Sequence, residues 1–229
     1  MRILLTNDDG IDAPGLAALA RAAATLGGDL VVVAPAECHS GCGHRVTTHA
    51  PLSVAEEGPA RYRIGGTPAD CVRVALGKLA PDVDLVLSGI NRGGNLGVDV
   101  HHSGTVAAAR EAALHGRPAI AVSQLVRPDG DVDWERSAAW LERVFRRIAS
   151  AVPGAGTFWN VNFPVLPEAA PAPQLVECPV DPSPFALAYR EVDGGWRWAS
   201  DYHRRPRRTD GDVAVCFGGA IALSRVGVV

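Results

Sequence analysis

Long apolar runs are missing from this chain. No stretch of its 229 residues reaches the roughly 18 consecutive apolar residues that a bilayer-spanning helix needs. Residues 1–6 enter directly into a strand-like run, without the longer apolar segment and small-residue cleavage site of a secretory signal. We therefore expect a soluble, cytoplasmic protein that has no membrane partner.

An excess of positive charge is also missing. The chain has 22 Lys and Arg residues against 25 Asp and Glu residues, and its formal net charge is −3. This balance gives no general attraction to a nucleic-acid backbone or to an anionic membrane. Any phosphate binding must be built locally, so we expect a small substrate and no nucleic-acid duplex.

Cysteines are few and odd in number. An odd number of cysteines, in a mid-sized protein that we expect in a reducing compartment, argues against a disulfide framework. The five cysteines are Cys38, Cys42, Cys71, Cys178 and Cys216.

The chain opens with the pattern of a strand, a loop and a helix. Residues 2–6 form a short apolar run, a polar turn follows, and residues 14–26 have helical periodicity. Residues 30–34 are a continuous β-branched run, typical of a parallel strand buried on both faces. This is the start of a β-α-β unit.

The same alternation continues to about residue 164. We predict helices over 69–79, 103–115 and 134–150, strands over 84–88 and 119–123, a last core strand over 158–163, and a small β excursion over 46–48, 52–55 and 62–64. The predicted fold is α/β: a doubly wound, mostly parallel, Rossmann-like sheet in a three-layer αβα arrangement. In such sheets ligands bind outside the carboxyl ends of the strands.

We predict a single domain over residues 1–229, with its core over about 1–164. Residues 165–229 are richer in proline, and we interpret them as an arm that contains a β-hairpin around residues 193–195 and a closing strand near 220–224. The basic stretch 204–208 is interpreted as a solvated face.

Two adjacent carboxylates, Asp8 and Asp9, follow the first predicted strand. Like charges at close range raise the pKa of one carboxyl group unless a cation compensates them, and a divalent metal is the simplest compensation. The alternative is that one aspartate caps the next helix while the other faces water.

Polar side chains also follow two other predicted strands. Ser40 follows the second strand, and Asn91 follows the strand at 84–88. With the two aspartates they would form a set of hard oxygen ligands suited to Mg²⁺ or Mn²⁺. The competing site is a zinc site in the same loop, built from Cys38, His39, Cys42 and His44.

The turn Ser103, Gly104 and Thr105 opens a predicted helix. Free backbone N–H groups, two hydroxyl groups and the positive end of the helix dipole favour an anion there. The alternative is an ordinary serine N-cap. The loop 91–97 is rich in glycine, which allows the backbone to approach a ligand closely, although it could also be a plain cluster of turns.

The sequence resembles the SurE nucleotidase family. The segments that carry the resemblance are RILLTNDDGIDAPG at 2–15, GTPADC at 66–71, SGIN at 88–91, NLG at 95–97 and SGTV at 103–106, with looser matches at 160–164 and 209–210. The resemblance implies hydrolysis of nucleoside 5′- and 3′-monophosphates, with short polyphosphate as a further substrate of some members. It also implies a homodimer or a dimer of dimers.

The resemblance implies a role for each motif residue. One divalent cation per subunit, Mg²⁺ or Mn²⁺, would be bound by Asp8, Asp9, Ser40 and Asn91. Asp8 and Asp9 would also be catalytic, and the phosphate would be contacted by Asn95, Ser103, Gly104 and Thr105. The cysteines of the loop 38–44 depart from the family pattern, and relatives usually continue into a longer carboxy-terminal segment.

Other enzyme classes fit the motifs less well. A covalent phosphatase with Asp8 as nucleophile would place its second carboxylate two residues later, and a dinucleotide oxidoreductase would need G-x-G-x-x-G after the first strand. A phosphatase redirected to another metabolite, or a nucleotide-binding protein without activity, stays open. His102 and His44 are candidates for the proton donor to the leaving oxygen.

Overall fold

A computed structural model describes residues 1–127, 130–149 and 156–228. A sheet of nine strands forms its centre, in the order β3-β4-β2-β1-β5-β6-β7-β11-β8. The strands are β1 (Arg2–Thr6), β2 (Asp29–Pro35), β3 (Val54–Gly58), β4 (Arg61–Ile64), β5 (Leu85–Arg92), β6 (Ala119–Gln124), β7 (Thr157–Phe163), β8 (Leu175–Glu177) and β11 (Ile221–Gly227). All neighbouring pairs are parallel except β3 with β4 and β11 with β7.

Helices cover both faces of this sheet. They are α1 (Pro14–Ala24), α2 (Pro68–Val74), α3 (Gly104–Leu114), α4 (Trp134–Ile148) and the short α5 (Asp212–Phe217). The helix α1 packs beside α4 on one face, over a core that includes Leu19 and Leu141, and α2 packs beside α3 on the other, over a core that includes Val72. The predicted doubly wound αβα fold is confirmed.

Local signals explain where the helices begin. Thr67 caps α2 in a reciprocal capping box with Asp70, and a proline takes the first helical position. Asp133 caps α4 by accepting a hydrogen bond from the backbone N–H of Arg136. Among the described residues, no helix is both long and apolar enough to cross a membrane.

Several predicted boundaries differ from the structure. The helix predicted over 69–79 is α2 followed by a π-helical turn, Ala75–Leu79, and β5 continues past residue 88 to Arg92. Residues 46–48 are not a strand. The helix predicted over 134–150 ends within the described chain at Ile148, and its predicted last residue lies outside the described residues.

The prediction that residues 158–163 form the last core strand is wrong. The strand β11 pairs with β7 antiparallel, and β8 pairs with β11, so two strands from residues 165–229 extend the central sheet. The predicted hairpin is present as β9 (Tyr189–Val192) and β10 (Gly195–Trp198), which form a separate antiparallel pair. Its Tyr189, Trp196 and Trp198 are exposed, as is Leu187 just before β9.

Candidate functional site

Three strand ends meet at one edge of the sheet. The strand β1 lies between β2 and β5, so the chain reverses its direction of strand addition there, which is the usual ligand position of doubly wound folds. Asp8 follows β1, Ser40 lies in the loop after β2, and Asn91 is near the end of β5. A cleft of about 240 Å³ brings these three together with Asn95 and Ser103.

Asp8 is the most enclosed of the predicted ligands, with 3% of its surface exposed. The Thr105 hydroxyl donates a 2.5 Å hydrogen bond to Asp8 Oδ1, and backbone N–H groups of Gly104 and Thr105 also favour the ionised carboxylate. Burial outweighs these bonds and raises the pKa of Asp8 above its ordinary value. The hydrogen bonds from Gly104 and Thr105 fix the Asp8 carboxylate against the N-terminus of α3.

This contact changes the expected role of the Ser103 to Thr105 turn. Thr105 is fully buried, and neither Gly104 nor Thr105 lines the cleft, whereas Ser103 does. The Ser103 hydroxyl accepts a 3.0 Å bond from the backbone N–H of Val106, so it also caps α3. Within this turn, Ser103 is the residue that faces the cleft.

Asp9 is more open than Asp8. Its Oδ2 accepts a hydrogen bond of 3.1 Å from the backbone N–H of Arg92. Burial raises its pKa, the Arg92 hydrogen bond opposes that rise, and the charge of Asp8 adds to it. Among the ion pairs of the described residues, none includes Asp8 or Asp9. The charge of Arg92 opposes the rise of the Asp9 pKa only in part. A bound cation would stabilise both carboxylates, so the donor set fits a divalent metal.

The two asparagines are held by hydrogen bonds to the neighbouring backbone and side chains. The amide nitrogen of Asn91 donates to the carbonyl of Gly93 at 2.8 Å, which leaves its Oδ1 as the acceptor for a cation. The amide nitrogen of Asn95 donates to Ser123 Oγ at 2.8 Å, and its backbone N–H donates to Asn162 Oδ1 at 2.8 Å. The second hydrogen of the Asn95 amide can still donate to a phosphate oxygen.

The loop that carries Ser40 is tied down on both sides while Ser40 itself is exposed. The backbone N–H of His39 donates to the carbonyl of Asp8 at 2.7 Å, and that of Gly43 donates to the carbonyl of His102 at 3.0 Å. The loop is therefore fixed to the aspartate turn at one end and to the start of α3 at the other.

His44 adds a side-chain anchor at the second end of this loop. Its Nε2 lies 2.6 Å from Glu111 Oε2, and the Glu111 side chain is only 5% exposed. His115 and Arg73 contact the other oxygen of Glu111 at 2.9 Å and 3.3 Å. Burial alone would raise the Glu111 pKa, but the hydrogen bonds from His44 and His115 lower it below its ordinary value. His44 does not line the cleft, whereas His102 does.

Comparison with known proteins places this chain in a family. The family model described as survival protein SurE matches residues 3–178. This chain belongs to the SurE family. It is similar to a Nostoc sp. protein provisionally named a 5′-nucleotidase, at 45% identity over all of both chains. It is also similar to the 5′-nucleotidase SurE 1 of Burkholderia lata, at 47% identity over 72% of this chain and 65% of that one.

A solved structure agrees with this assignment. The SurE protein from Aquifex aeolicus superposes with a TM-score of 0.87, covering 100% of this chain and 94% of that one, at 29% sequence identity. The SurE resemblance predicted from the motifs is thereby confirmed.

The cysteines of the Ser40 loop in this SurE chain form no metal cluster. Cys38 Sγ lies 3.1 Å from Ser40 Oγ, and Cys42 Sγ donates to the carbonyl of Gly43 at 3.3 Å. Within the described ranges, no three His, Cys, Asp or Glu side chains are grouped to hold a metal ion. The alternative zinc site has no support, because His44 is turned to Glu111. An oxygen site would take its donors beyond the two carboxylates from Ser40 and Asn91.

Sequence reasoning missed two residues of the cleft, Arg92 and Asp99. Asp99 Oδ2 accepts hydrogen bonds from Tyr202 Oη at 2.9 Å and from Arg205 at 2.7 Å. Arg205 is 4% exposed, so the interpretation of the basic stretch as a solvated face is wrong for this residue. No local signal marks these residues, because Asp99 and Arg205 are far apart in the sequence.

Proposed function

We propose that this chain hydrolyses nucleoside monophosphates to nucleoside and phosphate, as a SurE phosphomonoesterase that depends on a divalent cation. The observation that carries the proposal is the meeting of Asp8, Asp9, Ser40 and Asn91 at one edge of the sheet, beside a cleft that also holds Asn95 and Ser103. The nucleotidase names of the relatives support the substrate class.

The four oxygen donors would hold one Mg²⁺ or Mn²⁺ per subunit. When bound, such an ion supplies Lewis-acid polarisation of a phosphoryl oxygen and lowers the pKa of a water ligand. The chain itself contributes two carboxylates that differ in burial and in how firmly hydrogen bonds hold them. Asp8 is fixed by Thr105 and the start of α3, whereas Asp9 is more exposed and can orient the attacking water and accept its proton.

The remaining cleft residues act on the phosphate and on the leaving group. Ser103 and the free N–H of Asn95 would donate to phosphate oxygens, where charge spreads in the transition state. His102, exposed at the cleft, is our candidate for the donor of a proton to the leaving oxygen. His44 is bound to Glu111 and is not in that position.

Phosphate release from a panel of substrates tests the proposal. The panel holds nucleoside 5′- and 3′-monophosphates, sugar phosphates and tripolyphosphate, offered to metal-free protein and then with Mg²⁺, Mn²⁺ or Zn²⁺ restored. We expect release from nucleotides that requires Mg²⁺ or Mn²⁺. Preference for a sugar phosphate would indicate a redirected enzyme, and no release from any substrate would refute the proposal.

Asp9→Asn provides the matched variant. We expect at least about a 100-fold loss of kcat, with an unchanged circular dichroism spectrum because Asp9 is only half-buried and lies outside the apolar core. Near-normal turnover at saturating Mn²⁺ would contradict the role assigned to Asp9.

We also propose that the chain acts as a homodimer or a dimer of dimers in the cytoplasm. The exposed apolar side chains of the β9–β10 hairpin, Trp196 above all, support association because large apolar patches are uncommon on monomers. Light scattering that gives the mass of a single chain would overturn this part of the proposal.

A further inference from the structure

A second cavity lies beside the cleft. It has a volume of about 300 Å³, within the range of small-molecule pockets. Arg92 and Gly94 line both the cleft and this cavity, so the two spaces meet over the loop that carries these residues. The two spaces are therefore adjacent.

Two glycines form part of the wall of the second cavity. Gly93 and Gly94 both line the second cavity and carry no side chain that could block the loop. A Cβ added at Gly94 would lie 3.1 Å from Tyr202 Oη and 3.2 Å from Leu125 Cδ1, both tighter than ordinary contacts. Tyr202 and Leu125 therefore pack against the backbone of Gly94, where a larger residue would not fit without a shift.

The walls combine apolar, aromatic and cationic groups. Leu125 and Val126 come from the end of β6, and Tyr202 and His203 come from the carboxy-terminal segment. Tyr202 is fixed by bonds from its hydroxyl to Asp99 and to the carbonyl of Gly94 at 3.3 Å. The described lining includes no carboxylate.

Two arginines, Arg92 and Arg127, line the second cavity. Arg92 donates to the carbonyl of Gly130, and among the described residues neither Arg92 nor Arg127 forms an ion pair. Guanidinium groups stack on planar bases and donate to their acceptor atoms. A second phosphate group would use the arginines but not the apolar and aromatic walls, whereas a nucleoside would use both.

We propose that this second cavity binds the nucleoside of the substrate, with Arg127 and the Tyr202–His203 wall as the residues that recognise the base. This inference rests on the proposed nucleotidase function and extends it. It assigns base selectivity to the carboxy-terminal segment and the end of β6, and it leaves the chemistry of phosphate release to the first cleft.

The test compares substrates with and without a base. In 150 mM salt, which screens distant charges, we would measure kcat/KM for AMP, GMP, ribose 5-phosphate and tripolyphosphate. Arg127→Gln should lower kcat/KM for the nucleotides by about tenfold and change that for ribose 5-phosphate less than about twofold. Arg127→Lys should restore part of the loss. Arg147→Gln, which removes an exposed arginine from α4, is the matched control and should change neither.

A binding measurement separates this inference from the proposed function. Adenosine and guanosine titrated into the protein need no turnover, and Arg127→Gln should weaken their binding even if no substrate were hydrolysed. Equal effects of Arg127→Gln on AMP and ribose 5-phosphate would overturn the inference, as would unchanged nucleoside binding. A larger loss with tripolyphosphate than with nucleotides would instead assign the cavity to a second phosphate.

Discussion

Gly104→Ala would reveal how closely activity depends on the position of Asp8. Gly104 begins α3, where alanine is normally the better helix former by about 0.5–1 kcal/mol. The site opposes this preference, because an added Cβ would lie 2.8 Å from Asp8 Cβ, 2.9 Å from Asp8 Oδ2 and 3.1 Å from Cys42 Sγ. Asp8 Cβ is close to the backbone and cannot swing away as the end of a long side chain could.

The magnitudes favour a loss in both stability and activity. Ordinary carbon contacts are about 3.5–4.0 Å, so Asp8 or α3 must move by about 1 Å. Overpacking of this kind costs about 1–3 kcal/mol against a helix gain of about 0.5–1 kcal/mol, so the middle of both ranges gives a net loss of about 1 kcal/mol. A displacement of about 1 Å at a reacting centre can lower the rate about 100-fold.

Thermal unfolding and steady-state kinetics would check this prediction. We expect a Tm lower by about 5 °C and a kcat/KM for AMP lower by about 100-fold. Gly77→Ala is the matched control, because Gly77 is exposed and a Cβ there meets nothing within 4 Å. Full activity of Gly104→Ala beside an inactive Asp9→Asn would refute the view that contact with α3 sets the position of Asp8.

Three further predictions follow from the site. Ser103→Ala should lower the free energy of unfolding by about 1 kcal/mol through the lost cap and raise KM for AMP, and an unchanged KM would remove its phosphate contact. Mn²⁺ at 100 times its Kd should stabilise the protein by about 2.7 kcal/mol, and a Tm shift that persisted in Asp9→Asn would locate the ion elsewhere. The folded-state pKa of Glu111 is lowered, so its stabilisation is full above the unfolded pKa and is lost as pH falls through the folded pKa. The Tm difference between the parent and Glu111→Gln should therefore shrink from pH 7 to pH 3, and a constant difference would contradict the ionised contacts.

Much of the site could be predicted because parallel strands end at the same edge of a sheet. Asp8, Ser40 and Asn91 each stand at or just after such an end, and their meeting requires only that β2, β1 and β5 are neighbours. Which anion the Ser103 to Thr105 turn contacts could not be predicted. A helix N-terminus attracts any anion, and the sequence does not say whether the anion is a phosphate or the carboxylate of Asp8, 97 residues away from Thr105.

The carboxy-terminal segment, residues 165–229, was also harder to predict because its contacts are with residues distant in the sequence. A basic run with proline is usually solvated, and only tertiary contacts show that Arg205 lies over the rings of Phe185 and Tyr202 while it is bonded to Asp99. The apolar pattern near residues 220–224 predicts a strand, but the pairing of β11 with β7 is set by register and not by local composition.

The position of β11 limits where the protein can be divided. It lies between β7 and β8, so removing the residues after 164 would take two strands out of the central sheet and leave the full edge of β7 unpaired. An unpaired, apolar strand edge is a template for aggregation. Fragments that end at residue 164 are therefore poor choices for expression.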